Sequence, residues 1–247
     1  MKEKISALCK SFLWCVCILL FPVVSGTMSV VLSLETIEAL FLQGAFMLAS
    51  LLIPLILVLT GKWKWNEIGF CKYDVETCKK VFYFLPLLAV LIPVAIKGFY
   101  FKSPAYVLGS LFLYLTVGIA EEVYFRGIIP KYLNKVFSLK GMIFSSAVVF
   151  GMGHMAAAFT ASSGWEIFLT VLNAFIFGWL AIEMTVISKN ITPAILLHFL
   201  FDFETKIVVM SGSSLLIAEC VRGAVMVVSA LWLAAVIKNE EMSQGSI

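Results

Sequence analysis

Charge is scarce in this chain. Only 13% of its 247 residues are Asp, Glu, Lys or Arg, about half the roughly 25% of an ordinary soluble domain. With 62% hydrophobic residues and a mean hydropathy of +1.03, the chain holds more apolar mass than a soluble fold of this length can bury. The excess must face lipid. A net charge of +3, spread through loops with no basic face, excludes nucleic acid as a partner. The six cysteines (Cys9, Cys15, Cys17, Cys71, Cys78 and Cys220) form no C-x2-C pair. A disulfide framework belongs to small secreted chains, so they read as apolar fillers and free thiols. No H-E-x-x-H or other compact zinc-protease motif occurs, no internal repeat is present, and histidine appears only as His154 and His198.

What is present is a series of long apolar runs punctuated by charges. Candidate membrane helices cover roughly 11–32, 37–60, 81–97, 103–122, 141–160, 165–187, 190–209 and 213–237. The expected fold is therefore an all-α, polytopic membrane bundle of about eight transmembrane helices. It forms a single membrane domain over 1–247, with a motif-bearing core at about 103–210. Lys2, Lys4 and Lys10 before an apolar run resemble a signal peptide. However, the uncharged stretch Ser11–Leu34 is long enough to cross a bilayer by itself, so it is read as an uncleaved first helix. The third run carries Pro86 and Pro93 and is expected to kink. The segment 61–80 mixes Trp63, Trp65, Ile68 and Phe70 with lysines, as a segment lying at headgroup level would. The polar tail from Lys238 to Ile247 reads as loose.

Orientation follows from the cations. With the N-terminus inside, 14 of the 18 lysines and arginines fall in inner segments, and only Lys97, Lys102 and Lys206 lie outside. Arg222 sits within a helix. Both termini are expected to be cytoplasmic.

Ionisable residues inside membrane spans are expensive, so each is a candidate functional residue. Glu121-Glu122-Val-Tyr-Phe-Arg126 ends the fourth helix. Glu122 and Arg126 are i,i+4 neighbours able to pair, while Glu121 lies about 100° around the axis and is free for chemistry. His154 closes Phe150-Gly-Met-Gly-His154 on the fifth helix, where Gly151 and Gly153 permit close approach of a helix or a substrate backbone. His198-Phe-Leu-Phe-Asp202 is a second i,i+4 pair. There Asp202 can set the tautomer of His198. Glu219 and Arg222, three residues apart, read as a structural ion pair.

Peptide hydrolysis needs an activated water, an oxyanion stabiliser and a proton donor for the leaving amine. Two arrangements serve. In one, Glu121 is the base, His154 shares the water and His198 stabilises the oxyanion. In the other, Glu121, His154 and His198 ligate zinc as a His2Glu set with an open position for water. No acid within sequence reach supports His154 as a ligand, which leans toward the first. Depth poses a difficulty: His154 lies about 21 Å beyond Lys140 at 1.5 Å per residue, whereas Glu121 sits near the inner end of its span. The two meet only if the fourth helix runs on past Glu121 or the fifth begins below the membrane surface.

These three motifs resemble those of the CAAX protease and bacteriocin-processing family, named for its type II CAAX prenyl endopeptidases: EExxxR at Glu121–Arg126, FxxxH at Phe150–His154, and Hxxx followed by Asn or Asp at His198–Asp202. The resemblance implies an eight-helix bundle with a cavity opening toward the cytoplasm. It implies Glu121 and His154 activating water, Glu122 held by Arg126, and His198 at the oxyanion. Eukaryotic members carry Asn at the position of Asp202. An ionised Asp cannot donate a hydrogen bond, so Asp202 is assigned to orienting His198. The compact chain reads as a protein of the bacterial cytoplasmic membrane, acting on a peptide or membrane-anchored protein substrate. The alternative within this fold is a non-catalytic membrane partner or bacteriocin-immunity protein. A proton-relay transporter would show matching broken helices, and none is evident.

Overall fold

The computed structural model describes residues 1–73, 79–80, 82–159, 163–209 and 212–244. The architecture is all-helical, and the described residues hold no strand beyond one isolated bridge, Phe99 with Val208. The helices are α1 (Lys2–Val31), α2 (Thr36–Ser50), α3 (Leu52–Leu59), the short α4 (Ile92–Ala95), α5 (Pro104–Glu122), α6 (Ile129–Leu133), α7 (Leu139–Gly153), α8 (Gly164–Ser188), α9 (Thr192–Ile207) and α10 (Gly212–Gln244).

Among the described residues six stretches are long and apolar enough to cross a membrane: Lys2–Val31, Thr36–Leu59, Pro104–Leu133, Leu139–Ala156, Gly164–Ser188 and Gly212–Met242. The other two expected spans are short. One is a tight 3-10 run, Phe82–Leu91, passing into α4, with Pro86 and Pro93 where the kink was expected. Residue 81 of that span, and Cys78 before it, lie outside the described residues. The other is α9, 16 residues long. Large apolar side chains such as Leu13, Ile56, Phe144, Val228 and Leu231 face outward, as lipid contact requires. The buried hydroxyls of Ser11, Ser29, Thr116 and Ser188 donate to carbonyls one turn back, which satisfies them without water.

Helix starts follow local chemistry. Ser103, Ser138 and Ser163 accept the amides of Tyr106, Gly141 and Glu166 at the heads of α5, α7 and α8, and proline follows the cap in α5 and α9. The described part of the C-terminal tail, 238–244, is helical rather than loose. α10 continues to Gln244, and Glu240 pairs with Lys80 at 2.9 Å, because no Gly or Pro interrupts 224–244.

Two faces of the bundle can be told apart. On the lysine-rich face the 64–71 segment tucks under the bundle. The Ile191 amide donates to the Gly69 carbonyl at 3.0 Å, the Asn190 side-chain amide donates to the Cys71 carbonyl, and Lys131 pairs with Glu67 at 2.7 Å. The Lys131 hydrogen bond holds the Glu67 carboxyl below its usual range. So this segment packs against protein as well as offering Trp65 outward. On the opposite face the Tyr100 amide donates to Ile207 at 2.7 Å and the Val209 amide to Gly98 at 3.2 Å. These bonds tie the 96–103 connection to the end of α9. α5 packs on α2 and α9, and α8 lies between α7 and α10.

Candidate active site

The acidic motif does not end its helix. After Glu122 the chain widens into a π turn, Val123–Ile128, then resumes as α6 to Leu133. The fourth span is therefore one rod from Pro104 to Leu133, and Glu121 lies well inside it. The depth difficulty is thereby removed. π turns are rare and concentrate where side chains must be re-aimed. Here the turn carries Arg126, whose Nη1 lies 2.9 Å from Glu122 Oε1, both side chains fully buried. The π turn is also where the 64–71 segment crosses. A Cβ on Gly127 would stand 2.3 Å from the Ile68 carbonyl oxygen, so only glycine admits that backbone.

His198 reaches these acids because α5 and α9 nearly touch. A Cβ on Gly118 would already be 3.2 Å from the Phe199 nitrogen. The imidazole is buried, with Nδ1 at 2.7 Å from Glu122 Oε1. Its Nε2 faces Asp202 Oδ2 at 3.5 Å and Glu121 Oε2 at 3.9 Å. This differs from the sequence expectation: Glu122, not Asp202, holds the Nδ1 that sets the ring's orientation. One i,i+4 step brings Asp202 to the ring's other nitrogen, and only the neighbouring helix can supply a group to Nδ1.

His154 stands where α7 ends, and the chain continues as a 3-10 turn, His154–Phe159. Its Nδ1 lies 3.0 Å from the Phe150 carbonyl. A carbonyl only accepts, so Nδ1 carries the proton and the lone pair of the neutral ring is on Nε2. A backbone carbonyl one turn back thus supports His154, a partner that a search for acids overlooks. Phe150 links the motifs: its ring is 4.7 Å from the His154 ring, 5.9 Å from the His198 ring and 4.0 Å from the Arg126 guanidinium carbon. Gly151 serves helix packing, since a Cβ there would meet Phe175 Cβ of α8 at 3.0 Å.

The three motifs therefore converge. Glu121 interacts electrostatically with His154, His198, Asp202 and Glu122. Its Oε2 is buried with no hydrogen-bond partner among the described residues. Among those residues, too, no three His, Cys, Asp or Glu side chains are grouped so as to hold a metal ion. As they stand, Glu121, His154 and His198 do not fit a zinc ligand set.

Beside these groups lies a cavity of about 940 Å³, lined by His154, His198, Phe150, Phe177 and Asp202 and extending between α8 and α10. Its far end is at Ser163–Glu166 and Gly212–Leu216, where α8 and α10 begin.

Residues 103–203 match the family model described as type II CAAX prenyl endopeptidase Rce1-like. No curated protein matches the chain. The Rce1-like segment runs from the Ser103 cap of α5 into α9 and contains all six candidate residues, Glu121, Glu122, Arg126, His154, His198 and Asp202. The Rce1-like family is one of membrane proteases, which supports peptidase activity for this integral membrane protein. The expected Glu219–Arg222 pair is present at 3.2 Å, but it belongs to a larger buried group. Arg222 also bonds Thr205 at 3.0 Å and Glu204, and lies over Phe201. Glu183 was not foreseen among the intramembrane acids. It is buried on α8 and accepts from Trp179 Nε1 at 2.8 Å. The signal was in the sequence, an acid within a predicted span, with its Trp partner one turn before it.

Proposed function

We propose that the protein is an intramembrane endopeptidase in which Glu121 is the general base, without a metal. The observation that carries this reading is the division of labour between the adjacent acids. Each acid keeps one buried oxygen with no hydrogen-bond partner among the described residues, but Glu122 is committed through Oε1 to both Arg126 and His198 Nδ1, whereas Glu121 has no such close pairing and lies beside both histidines.

The steps follow from these atoms. Water placed between Glu121 and His154 Nε2 gives its proton to the Glu121 carboxylate as its oxygen attacks the scissile carbonyl carbon. The carbonyl π electrons move to oxygen, and the resulting oxyanion takes a hydrogen bond from His198 Nε2–H. Nδ1–H of the same ring stays on Glu122, so His198 acts in its doubly protonated form. The C–N bond then breaks as Glu121 returns the proton to the leaving amine. Asp202 remains beside His198 Nε2 and faces the cavity.

The test is cleavage of quenched-fluorescent membrane peptides by the purified protein beside Glu121→Gln. The substitution should lower kcat by about 10²–10⁴, the contribution of a general base, with an unchanged unfolding transition. Turnover within tenfold of wild type in Glu121→Gln would remove Glu121 from this role. Absence of cleavage by a well-folded wild type would turn the assignment toward the non-catalytic partner.

A further inference from the structure

The π turn that carries Arg126 has a cause in the sequence. Pro130 stands just after it, as the second residue of α6. In an ordinary α-helix its ring would strike the carbonyl of Arg126, four residues back. The turn widens instead, and the Ile129 amide donates to the Tyr124 carbonyl, five residues back. The next amide in that register would be that of residue 130, and proline has none. The Phe125 carbonyl is therefore left without a donor from its own turn. Phe125 is buried, and an unpaired backbone group is costly inside a membrane bundle.

Ser146 of α7 supplies the missing donor. Its Oγ donates to the Phe125 carbonyl at 3.2 Å, and Ser146 is itself buried. The direction of that bond sets it apart from the serines that only satisfy themselves. Ser11 and Ser29 bond carbonyls one turn back on their own helix, whereas Ser146 reaches to a different element. A second hydroxyl does the same. Tyr124, within the π turn, donates to the Ser50 carbonyl at 2.9 Å. That carbonyl lies four residues before Pro54 of α3, whose missing N–H removes its usual helical donor. Two prolines thus free two carbonyls, and two hydroxyls use them to tie the π turn to α7 and to the α2–α3 junction. The Ile68 backbone closes against the same turn at Gly127.

Resting on the endopeptidase reading above, we infer that Ser146 and Tyr124 are positioning residues of the active site. They pin the π turn so that Arg126 stays on Glu122 at 2.9 Å and Glu122 stays on His198 Nδ1 at 2.7 Å. Neither hydroxyl takes part in the steps at the scissile bond. Arg126 follows Phe125 directly in the chain, so a shift of the Phe125 peptide carries the guanidinium with it. Loss of either tie lets the wide turn close toward ordinary helix geometry, which re-aims Arg126 relative to Glu122.

The experiment uses the full-length protein purified in detergent and the quenched-fluorescent membrane peptides. Ser146→Ala should lower kcat about tenfold with KM changed by less than about twofold, because it disturbs alignment and leaves the substrate-binding surface in place. Tyr124→Phe should do the same, and carries the test if Ser146→Ala folds poorly. In a Glu122→Gln background no carboxylate remains to be held, so there Ser146→Ala should cost less than about twofold in kcat. A second measurement needs no turnover. Pro130→Ala restores an N–H for the Phe125 carbonyl, so Ser146→Ala should lower the unfolding midpoint in the wild type and by less than about half as much in Pro130→Ala. Wild-type kcat in folded Ser146→Ala and Tyr124→Phe, or a change confined to KM, overturns the inference while leaving the endopeptidase reading intact. So does an equal kcat loss in both Glu122 backgrounds or an equal midpoint shift in both Pro130 backgrounds. No cleavage by well-folded wild type, or cleavage that survives Glu121→Gln, instead defeats the reading beneath it, and the midpoint comparison then still decides whether Ser146 pins the turn.

Discussion

Glu122 is held from two sides, by Arg126 Nη1 at 2.9 Å and His198 Nδ1 at 2.7 Å, and all three side chains are buried. Removing one member of a buried ion pair leaves the other charge unpaired and costs ~3–5 kcal/mol. Glu122→Gln and Arg126→Met should each show that loss as a lowered unfolding midpoint in detergent, followed by fluorescence of the six tryptophans. Combined, they leave neither Glu122 nor Arg126 as an orphan charge, and His198 keeps Asp202 and Glu121 near its Nε2. The introduced methionine retains contact with the Phe150 ring that now faces the guanidinium, so the double variant should be more stable than either single one, with a coupling of ~3 kcal/mol. Activity should not recover in parallel. A neutral amide replaces a carboxylate at His198 Nδ1, and charge-assisted hydrogen bonds are about twice as strong as neutral ones. A difference of ~1–2 kcal/mol predicts a roughly five- to thirtyfold deficit in kcat for the folded double variant. A double variant no more stable than the singles would refute the coupled pair. Full activity in a folded double variant would show that Glu122 does not act through His198.

Three further outcomes follow. His154→Ala should abolish cleavage, whereas His198→Gln, which keeps a hydrogen-bond donor near the oxyanion, should retain measurable turnover, and chelators should inhibit weakly. Stoichiometric zinc lost and regained together with activity would reverse this. Gly127→Ala should destabilise by ~1–3 kcal/mol, since the Ile68 carbonyl must move by about an ångström to clear a Cβ otherwise 2.3 Å away; an unchanged midpoint would mean the 64–71 segment is not seated there. The Glu67 carboxyl is held low in the folded state by Lys131, so its contribution is complete above the unfolded carboxylate range and is lost as pH falls through the lowered value. The stability difference between wild type and Glu67→Gln should therefore be flat from neutrality to about pH 5 and shrink on further acidification. A difference that grew with acid would contradict the sign.

The sequence by itself determined the class and the chemical parts. Scarce charge and long apolar runs dictate a membrane bundle, because uncompensated polar groups are not tolerated in lipid. The Glu122–Arg126 pair was legible because i,i+4 contacts depend only on local helix geometry. Two histidines among so few polar residues marked the candidate site. The tertiary structure decided what joins them. Glu122 and His198 are 76 residues apart, and no local rule pairs them; the close approach of α5 to α9 at Gly118 does. It decided that the acidic motif sits within an unbroken Pro104–Leu133 rod through its π turn, which hydropathy cannot distinguish from a helix end. It also decided that a cavity lined by both histidines runs between α8 and α10, since that depends on how α8, α9 and α10 splay from one another, and splay is a property of packed helices rather than of any one segment.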